Sequence, residues 1–331
     1  GVAGADVGEE LVAKAFALAR AAHQPGDINE GELFFQVERL RTDGRYFGFL
    51  VDVRNRSDLL HRFKGVDFVF HAAALKQVPL CEVSPNTAVD TNIVGVQNVI
   101  EAARDCRVKR VLFTSSDKAA NPTNVMGTTK LMGERLFTAA NATNTGPNDT
   151  IFASCRFGNV AGSKGSVIPL FMKQIAQGGP VTLTDPSMTR FLMRLDESVK
   201  LILKSIELAR GGEVFVMKMP VMNIEDLAKV MIERESGKAG HDPKKIQIKI
   251  IGKRSGEKLY EELLTEEETR RSLELDDLYI VLPAFQNVYN NIKYEYPGLT
   301  RTATQIYTSR DQKLEDADFG RKLLEGTVVE Y

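Results

Sequence analysis

Between residues 115 and 130 the chain reads SSDKAANPTNVMGTTK, a stretch that gathers one carboxylate, two lysines and several small hydroxyl side chains. Asp117 and Lys118 are adjacent, and Lys130 follows Met126 by four residues as a helical pattern begins that runs on through Leu131, Glu134, Leu136 and Phe137. Four-residue spacing puts Met126 and Lys130 on one helix face. An isolated M-x-x-x-K reads as a core methionine and a solvent-facing lysine. Lying between an apolar strand and a helix, this one sits where an α/β dinucleotide enzyme keeps its catalytic groups.

The preceding segment VKRVLFTSS (108–116) is a short apolar run rich in β-branched and aromatic residues, which predicts a buried parallel strand. Asp117 and Lys118 then fall just beyond the strand's carboxyl end, the edge of an open α/β sheet where ligands bind. Further strands are predicted at 46–53, 67–73 and 151–157, with helices at 8–22, 32–41, 56–64, 85–105 and 126–140. Repeated strand-helix-strand units imply an α/β fold with a Rossmann-like, doubly wound parallel sheet. After about residue 160 the rhythm loosens. Short strands at 181–185, 213–219 and 246–252 mix with helices at 166–177, 195–209, 223–235 and 257–273, as expected of a smaller α/β lobe. The division expected is a dinucleotide-binding domain over 1–165 and a substrate lobe with a tail over 166–331, with 190–220 returning to the first.

With 331 residues the chain can bury a substantial core. Its 43 Lys+Arg against 44 Asp+Glu leave no basic footprint for nucleic acid. No apolar run approaches the roughly 20 residues needed to span a bilayer, and no signal segment opens the chain, so a soluble cytoplasmic protein is expected. Cys81, Cys106 and Cys155 are widely spaced in apolar settings, which predicts reduced thiols and no metal site.

A dinucleotide fold normally opens with an apolar strand running into a glycine-rich turn that receives the pyrophosphate. Here GVAGADVGEEL begins inside that turn, and HQPG stands where a second β-branched strand is expected. Either pieces of the first two strands are missing or the cofactor site has decayed; the intact remainder of the site favours missing pieces.

Four segments carry a resemblance: HAAALKQVPLCEVSPNTAVDTNIVGVQNVIEAA (71–103), SSDKAANPTNVMGTTKLMGERLF (115–137), RFGNVAGSKGSVIPLFMKQIAQGGPVTLTDPSMTRFLM (156–193) and GEKLYEELLTEEE (256–268). In this order they resemble the nucleotide-sugar 4,6-dehydratases of polysaccharide biosynthesis, extended short-chain dehydrogenase/reductases acting on UDP-N-acetylglucosamine. The resemblance covers about residues 1–285. The polar segment 286–331 has no clear counterpart and reads as an arm or an oligomer contact.

The resemblance implies a reaction in three steps: hydride leaves the sugar C4, water is lost across C5 and C6, and the hydride returns to C6. A tightly bound NAD or NADP is thereby recycled. Once C4 is a ketone the C5 proton is acidified, so a base can remove it while an acid protonates the leaving 6-hydroxyl. The matching residues are Asp117 as the acid and Lys118 as the base, the latter requiring a pKa lowered by desolvation and by Lys130. Lys130 matches the lysine on the nicotinamide ribose, and Ser116 stands where a threonine contacts the sugar. The family's usual hydroxyl is replaced by Met126, as in a methionine-containing branch that includes membrane-attached long forms. Asp117 or a water held by Lys130 is then the candidate base for the first step.

For the cofactor, the resemblance points to Gly4 and Gly8 in the phosphate turn, with Val2 and Ala5 departing from the glycine pattern. It also points to Asp27 at the adenosine ribose, Asp52 and Val53 near the adenine, and His71, Ala72 and Ala73 beside the nicotinamide ribose, with Lys76 on the following loop. An acid at Asp27 favours NAD by charge, yet the choice stays open. For the UDP-sugar it points to Asn159, to Arg190 and Arg254 as diphosphate or uridine clamps, and to Glu257 with Lys258. The glutamates from 261 to 268 read as a solvated helix face. Relatives assemble through the helices near 85–105 and 126–140, which implies a homo-oligomer, a dimer or a hexamer.

Overall fold

The computed structural model describes residues 26–39, 46–144, 146, 148–163, 165–253, 256–289 and 291–325. The helix predicted over 8–22 and the candidate residues Gly4, Gly8 and Arg254 lie outside them.

The first described strand, β1 (Gly26–Asp27), pairs in parallel with β2 (Phe49–Leu50), and helix α1 (Glu30–Arg39) connects them. The strand predicted over 46–53 is cut short because Asn55 N bonds Asp52 O at 2.8 Å and turns the chain. Helix α2 (Arg56–Arg62) leads to β3 (Phe68–His71), α3 (Gly95–Asp105) to β4 (Arg110–Thr114), and α4 (Val125–Ala139) to β5 (Ile151–Arg156). Then follow β6 (Asn159–Val160), α5 (Val167–Ala176), β7 (Val181–Leu183), β8 (Thr189–Met193), α6 (Leu195–Leu208) and β9 (Val214–Met217). Strands β3, β4, β5 and β9 lie side by side and all parallel.

Both faces of this sheet are covered, as the apolar run of β4 requires. Successive side chains point to opposite faces. Leu112 accordingly packs toward Ile202 and Ile206 of α6, while Val111 and Phe113 pack toward Val96 and Val99 of α3 and Phe137 of α4.

The remaining elements are β10 (Val221–Asn223), α7 (Ile224–Glu235), β11 (Ile248–Ile250), β12 (Glu262–Leu264), β13 (Ser272–Glu274), β14 (Leu278–Val281), β15 (Arg301–Thr302), β16 (Tyr307–Thr308) and α8 (Ala317–Leu324). Antiparallel β14, β13 and β15 extend the main sheet beyond β9. A smaller sheet in the order β10-β8-β6 and the pair β11-β7 pack with α5, α7 and α8 around a second core.

The helix predicted over 257–273 does not form. Leu263 and Leu264 are both fully buried and pair with β16, and the capping box of Thr265 with Glu268 starts only a single turn, Glu266–Thr269. Nor is the segment after 286 a free arm. Its Tyr307 hydroxyl accepts from Met219 N at 2.7 Å and donates to Met219 O at 3.0 Å, and α8 buries Leu323 and Leu324 against α7.

Candidate active site

The carboxyl end of β4 is held in the sheet by Ser115 N, which donates to Cys155 O at 2.7 Å. Beyond it Ser116 caps a tight turn over Asp117–Ala119: its Oγ accepts from Lys118 N at 3.3 Å and donates to Asp117 Oδ1 at 2.6 Å. Asp117 is completely buried; Oδ1 also accepts from Lys118 Nζ at 3.0 Å, and Oδ2 has no partner. A Cβ on Gly127 would come within 2.3 Å of Lys118 O, so only glycine lets α4 approach this turn so closely.

Helix α4 is capped by Asn124, whose side chain accepts from Gly127 N at 2.8 Å. Both faces of the M-x-x-x-K question resolve inward. Met126 packs against Cys81 and Ala88, and Lys130 is buried with Nζ donating to Thr114 O at 2.9 Å and 4.8 Å from the centre of the Phe113 ring. Burial pulls the Lys130 ammonium down to about 8, with Lys76 acting in the same direction and Cys155 and Glu134 against it.

Lys118 behaves in the opposite way. Burial lowers it, but the carboxylates of Asp117 and Glu261 outweigh that and hold it above its ordinary value. The lowered pKa expected of Lys118 is therefore found on Lys130, because two carboxylates offset burial at the first lysine and burial prevails at the second. Glu261 is the other correction. It is 3% exposed, with Oε1 3.8 Å from Lys118 Nζ, and Glu268 is buried in an ion pair with Arg156, so neither belongs to a solvated face. Helical spacing misplaced them because the segment is strand and turn.

On the cofactor side, His71 ends β3 with its ring stacked near Phe137 and Phe113. Burial, aided by Lys130, pushes its imidazole down to about 3, so the ring is neutral packing. Ala72 and Ala73 continue this edge. The loop is fixed by Asn92, whose side chain accepts from Leu75 N at 2.8 Å and donates to Leu75 O and Thr129 Oγ1, each at 2.9 Å. Asn92 stands in a single π-helical turn, Asp90–Val94, which periodicity does not reveal. Asp27 ends β1 and accepts from Asn29 N at 2.6 Å; Asp52 is gripped by Arg54, and Val53 O accepts from Asn98 Nδ2 at 3.0 Å.

A cavity of about 310 Å³ brings together Ala72, Lys76, Ser116, Lys118, Met126, Lys130 and Asn159. Ser115 and Ser166, which the sequence reading did not single out, also line it and carry buried hydroxyls without partners. Asp27, Asp52, Val53, His71, Ala73, Asp117, Arg190 and Glu257 are not among the lining residues. Arg190 lies behind the site, its guanidinium donating to Thr189 O at 2.8 Å and Lys258 O at 2.9 Å, with Nε 3.3 Å from Glu261 Oε1. With those nitrogens engaged, this geometry does not support a diphosphate clamp at Arg190.

Residues 15–283 match the family model described as polysaccharide biosynthesis protein. The chain belongs to this family. Within reach of the family are an uncharacterized membrane protein of Methanocaldococcus jannaschii, 46% identical over 318 residues (96% of this chain, 92% of the relative), and a UDP-glucose 4-epimerase of Rickettsia massiliae, 40% identical over 309 residues (90% and 87%). The crystal structure of Pen from Bacillus thuringiensis is 37% identical and superimposes with a TM-score of 0.88, covering 99% of this chain and 95% of that one. No helix among the described residues of this family member is long and apolar enough to cross a membrane.

Proposed function

We propose that this chain is a nucleotide-sugar-modifying enzyme, and specifically that it dehydrates UDP-N-acetylglucosamine across C5 and C6 to a 4-keto-6-deoxy sugar. The observation that carries the reading is the 3.0 Å hydrogen bond from Lys118, which lines the cavity together with Lys130, to Asp117 buried directly behind it.

The residues present fit a nicotinamide dinucleotide. The buried Ser115 hydroxyl lines the cavity without a partner, and Ala72, just past the end of β3, lines it too. When bound, that group would take a hydride from the sugar C4 and return it to C6. Lys130 and Lys76 would hold its ribose side, and Ser116 and Asn159 would orient the sugar.

Elimination needs a neutral amine and a neutral acid at the same moment. In the free protein Lys118 is held as the ammonium. Moving one proton from Lys118 Nζ to Asp117 Oδ1 along their hydrogen bond yields the form that can act. Lys118 then accepts the C5 proton and Asp117 gives its proton to the departing hydroxyl. Met126, buried and apolar, takes no part in proton transfer. With Asp117 already protonated by Lys118, the proton of the 4-hydroxyl goes to a water held by Lys130.

A second reading, a 4-epimerase, is favoured by the rickettsial relative. It needs only hydride removal and return at C4 and leaves Asp117 and Lys118 without a task. Incubation of the full-length protein with UDP-N-acetylglucosamine, followed by mass spectrometry, separates the two. A product lighter by one water supports the dehydratase; an isomer of unchanged mass sinks it. Lys118→Ala is expected to lose water elimination while keeping nucleotide binding, and persistent dehydration in that variant would remove Lys118 as the base.

The exposed apolar side chains Val89, Val94 and Met132 lie within the segments expected to mediate assembly, with Leu80 and Val83 just before the first, and they support a homo-oligomer.

A further inference from the structure

We propose that Glu261 is a positioning carboxylate for Lys118, holding the ammonium in place while Asp117 carries the proton that leaves with the hydroxyl. This role rests on the elimination chemistry above, but the electrostatic relationship behind it can be tested without turnover.

Among the described residues, Asp117 and Glu261 are the two carboxylates within 4.0 Å of Lys118 Nζ. Glu261 Oε1 also faces Arg190 Nε at 3.3 Å, while Oε2 is buried without a partner. The backbone of Glu261 is clamped from both sides by one residue of the carboxy-terminal segment. Its N–H donates to Ser309 Oγ at 2.9 Å, and its carbonyl accepts from Ser309 N at 2.8 Å. Ser309 is tied in turn to Thr189, with the two hydroxyls 2.9 Å apart. A buried anion fixed this firmly beside a reactive lysine is costly unless paired.

The chemistry explains a need for it. In the elimination the C5–H bond breaks, the proton goes to the Lys118 amine, and the electron pair forms the C5–C6 double bond. The C6–O bond breaks, and the hydroxyl leaves as water with the proton of Asp117. Before that proton departs, Asp117 is neutral and is no counter-ion. The positive charge growing on Lys118 then has Glu261 to meet it, a preorganised anion at the point where charge develops.

The charged groups facing Glu261 are Asp117, Lys118, Arg190 and Lys258. Burial and Asp117 push its carboxyl upward, and the three cations pull against them. Burial and Asp117 prevail, leaving the carboxyl above its ordinary range, and the contacts with Lys118 and Arg190 are what favour its anionic form.

The test is a pH titration of Lys118 by NMR in the full-length protein carrying 13Cε-labelled lysine, the signal being assigned by its loss in Lys118→Arg. In Glu261→Gln the Lys118 midpoint is expected to fall by about one pH unit or more, as for removal of an opposite charge at this range. Glu261→Asp, which withdraws the carboxylate by one methylene, is expected to give a smaller fall and serves if the glutamine variant does not fold. An unchanged or raised midpoint in a folded variant overturns the proposal. In the dehydration assay, the acid limb of kcat should move to lower pH in Glu261→Gln while kcat falls about tenfold and KM changes less. If the wild-type protein forms no dehydrated product, the functional reading fails, and the midpoint still decides the role of Glu261 toward Lys118.

Discussion

Arg156, the last residue of β5, forks onto Glu134 of α4, with Nε donating to Oε1 at 3.0 Å and Nη2 to Oε2 at 2.6 Å. The guanidinium is completely buried, and its remaining donors reach Leu263 O at 2.8 Å and Glu268 at 3.0 Å. One side chain therefore joins the parallel sheet, the helix that carries Lys130, and the segment that delivers Glu261. Removing one partner of a buried ion pair leaves an uncompensated charge and costs on the order of 3–5 kcal/mol. Glu134→Ala should lower stability by about that amount in urea unfolding; a loss below about 1 kcal/mol would contradict this view of the cluster.

The same cluster sets an acid limit on stability. Burial raises Glu268, but the charge and hydrogen bonds of Arg156 outweigh it and bring the carboxyl from 4.5 down to about 2. A depressed folded-state pKa means that the unfolded chain binds the proton first as pH falls. The contribution is fully present above about pH 4.5 and is lost between there and about pH 2, amounting to about 3 kcal/mol. Urea unfolding of the wild type and of Glu268→Gln across this window should therefore converge toward low pH. Parallel curves would show that Glu268 is not the group responsible.

Lys130 shifts stability in the same direction with pH, but in an alkaline window and because its charged form is the disfavoured one. Its folded-state value of about 8 lies below the ordinary 10.5, so folding disfavours its charged form, and native stability rises as pH increases from about 8 to 10.5. Lys130→Met removes the buried charge and keeps an apolar chain of similar length. The variant is expected to melt at a higher temperature at pH 7, by up to about 3 kcal/mol in stability, while losing turnover. A lower Tm would show that the bond to Thr114 O and the contact with Phe113 outweigh the desolvation.

At Gly127 the prediction is steric. An alanine Cβ would meet Lys118 O at 2.3 Å, and backbone on both sides leaves little room to yield. Gly127→Ala should cost about 1–3 kcal/mol, as overpacking does, and should suppress dehydration more than nucleotide binding. Retention of full activity would show that α4 and the Asp117 turn separate more easily than their packing indicates.

How much of this was legible in the chain depends on the range over which each feature is determined. The apolar run of β4, the four-residue spacing of Met126 and Lys130, and the strand-helix alternation are local patterns, and the structure reproduces them at Arg110–Thr114, on α4 and in the parallel strands. The adjacency of Asp117 and Lys118 was likewise written in the sequence, as was their place at the carboxyl end of a strand. Local pattern misled where a segment is shaped by distant partners. Residues 257–273 have helical spacing and glutamates throughout, yet β16 draws 262–264 into a strand and Arg156 takes Glu268 into the core.

The proton affinities belong wholly to the tertiary structure. From sequence, Lys118 was expected to be the lysine with the lowered pKa. Folding instead sets Lys118 between Asp117 and Glu261, the latter 144 positions past Asp117 in the chain, and buries Lys130 against Thr114 O and the Phe113 ring. A chain can specify which groups are present and, through short-range periodicity, which way each one faces. Which charge ends up beside which depends on long-range packing. Here Ser309, in a segment that sequence treated as an arm, fixes Glu261 against Lys118 and so helps decide how tightly that lysine keeps its proton.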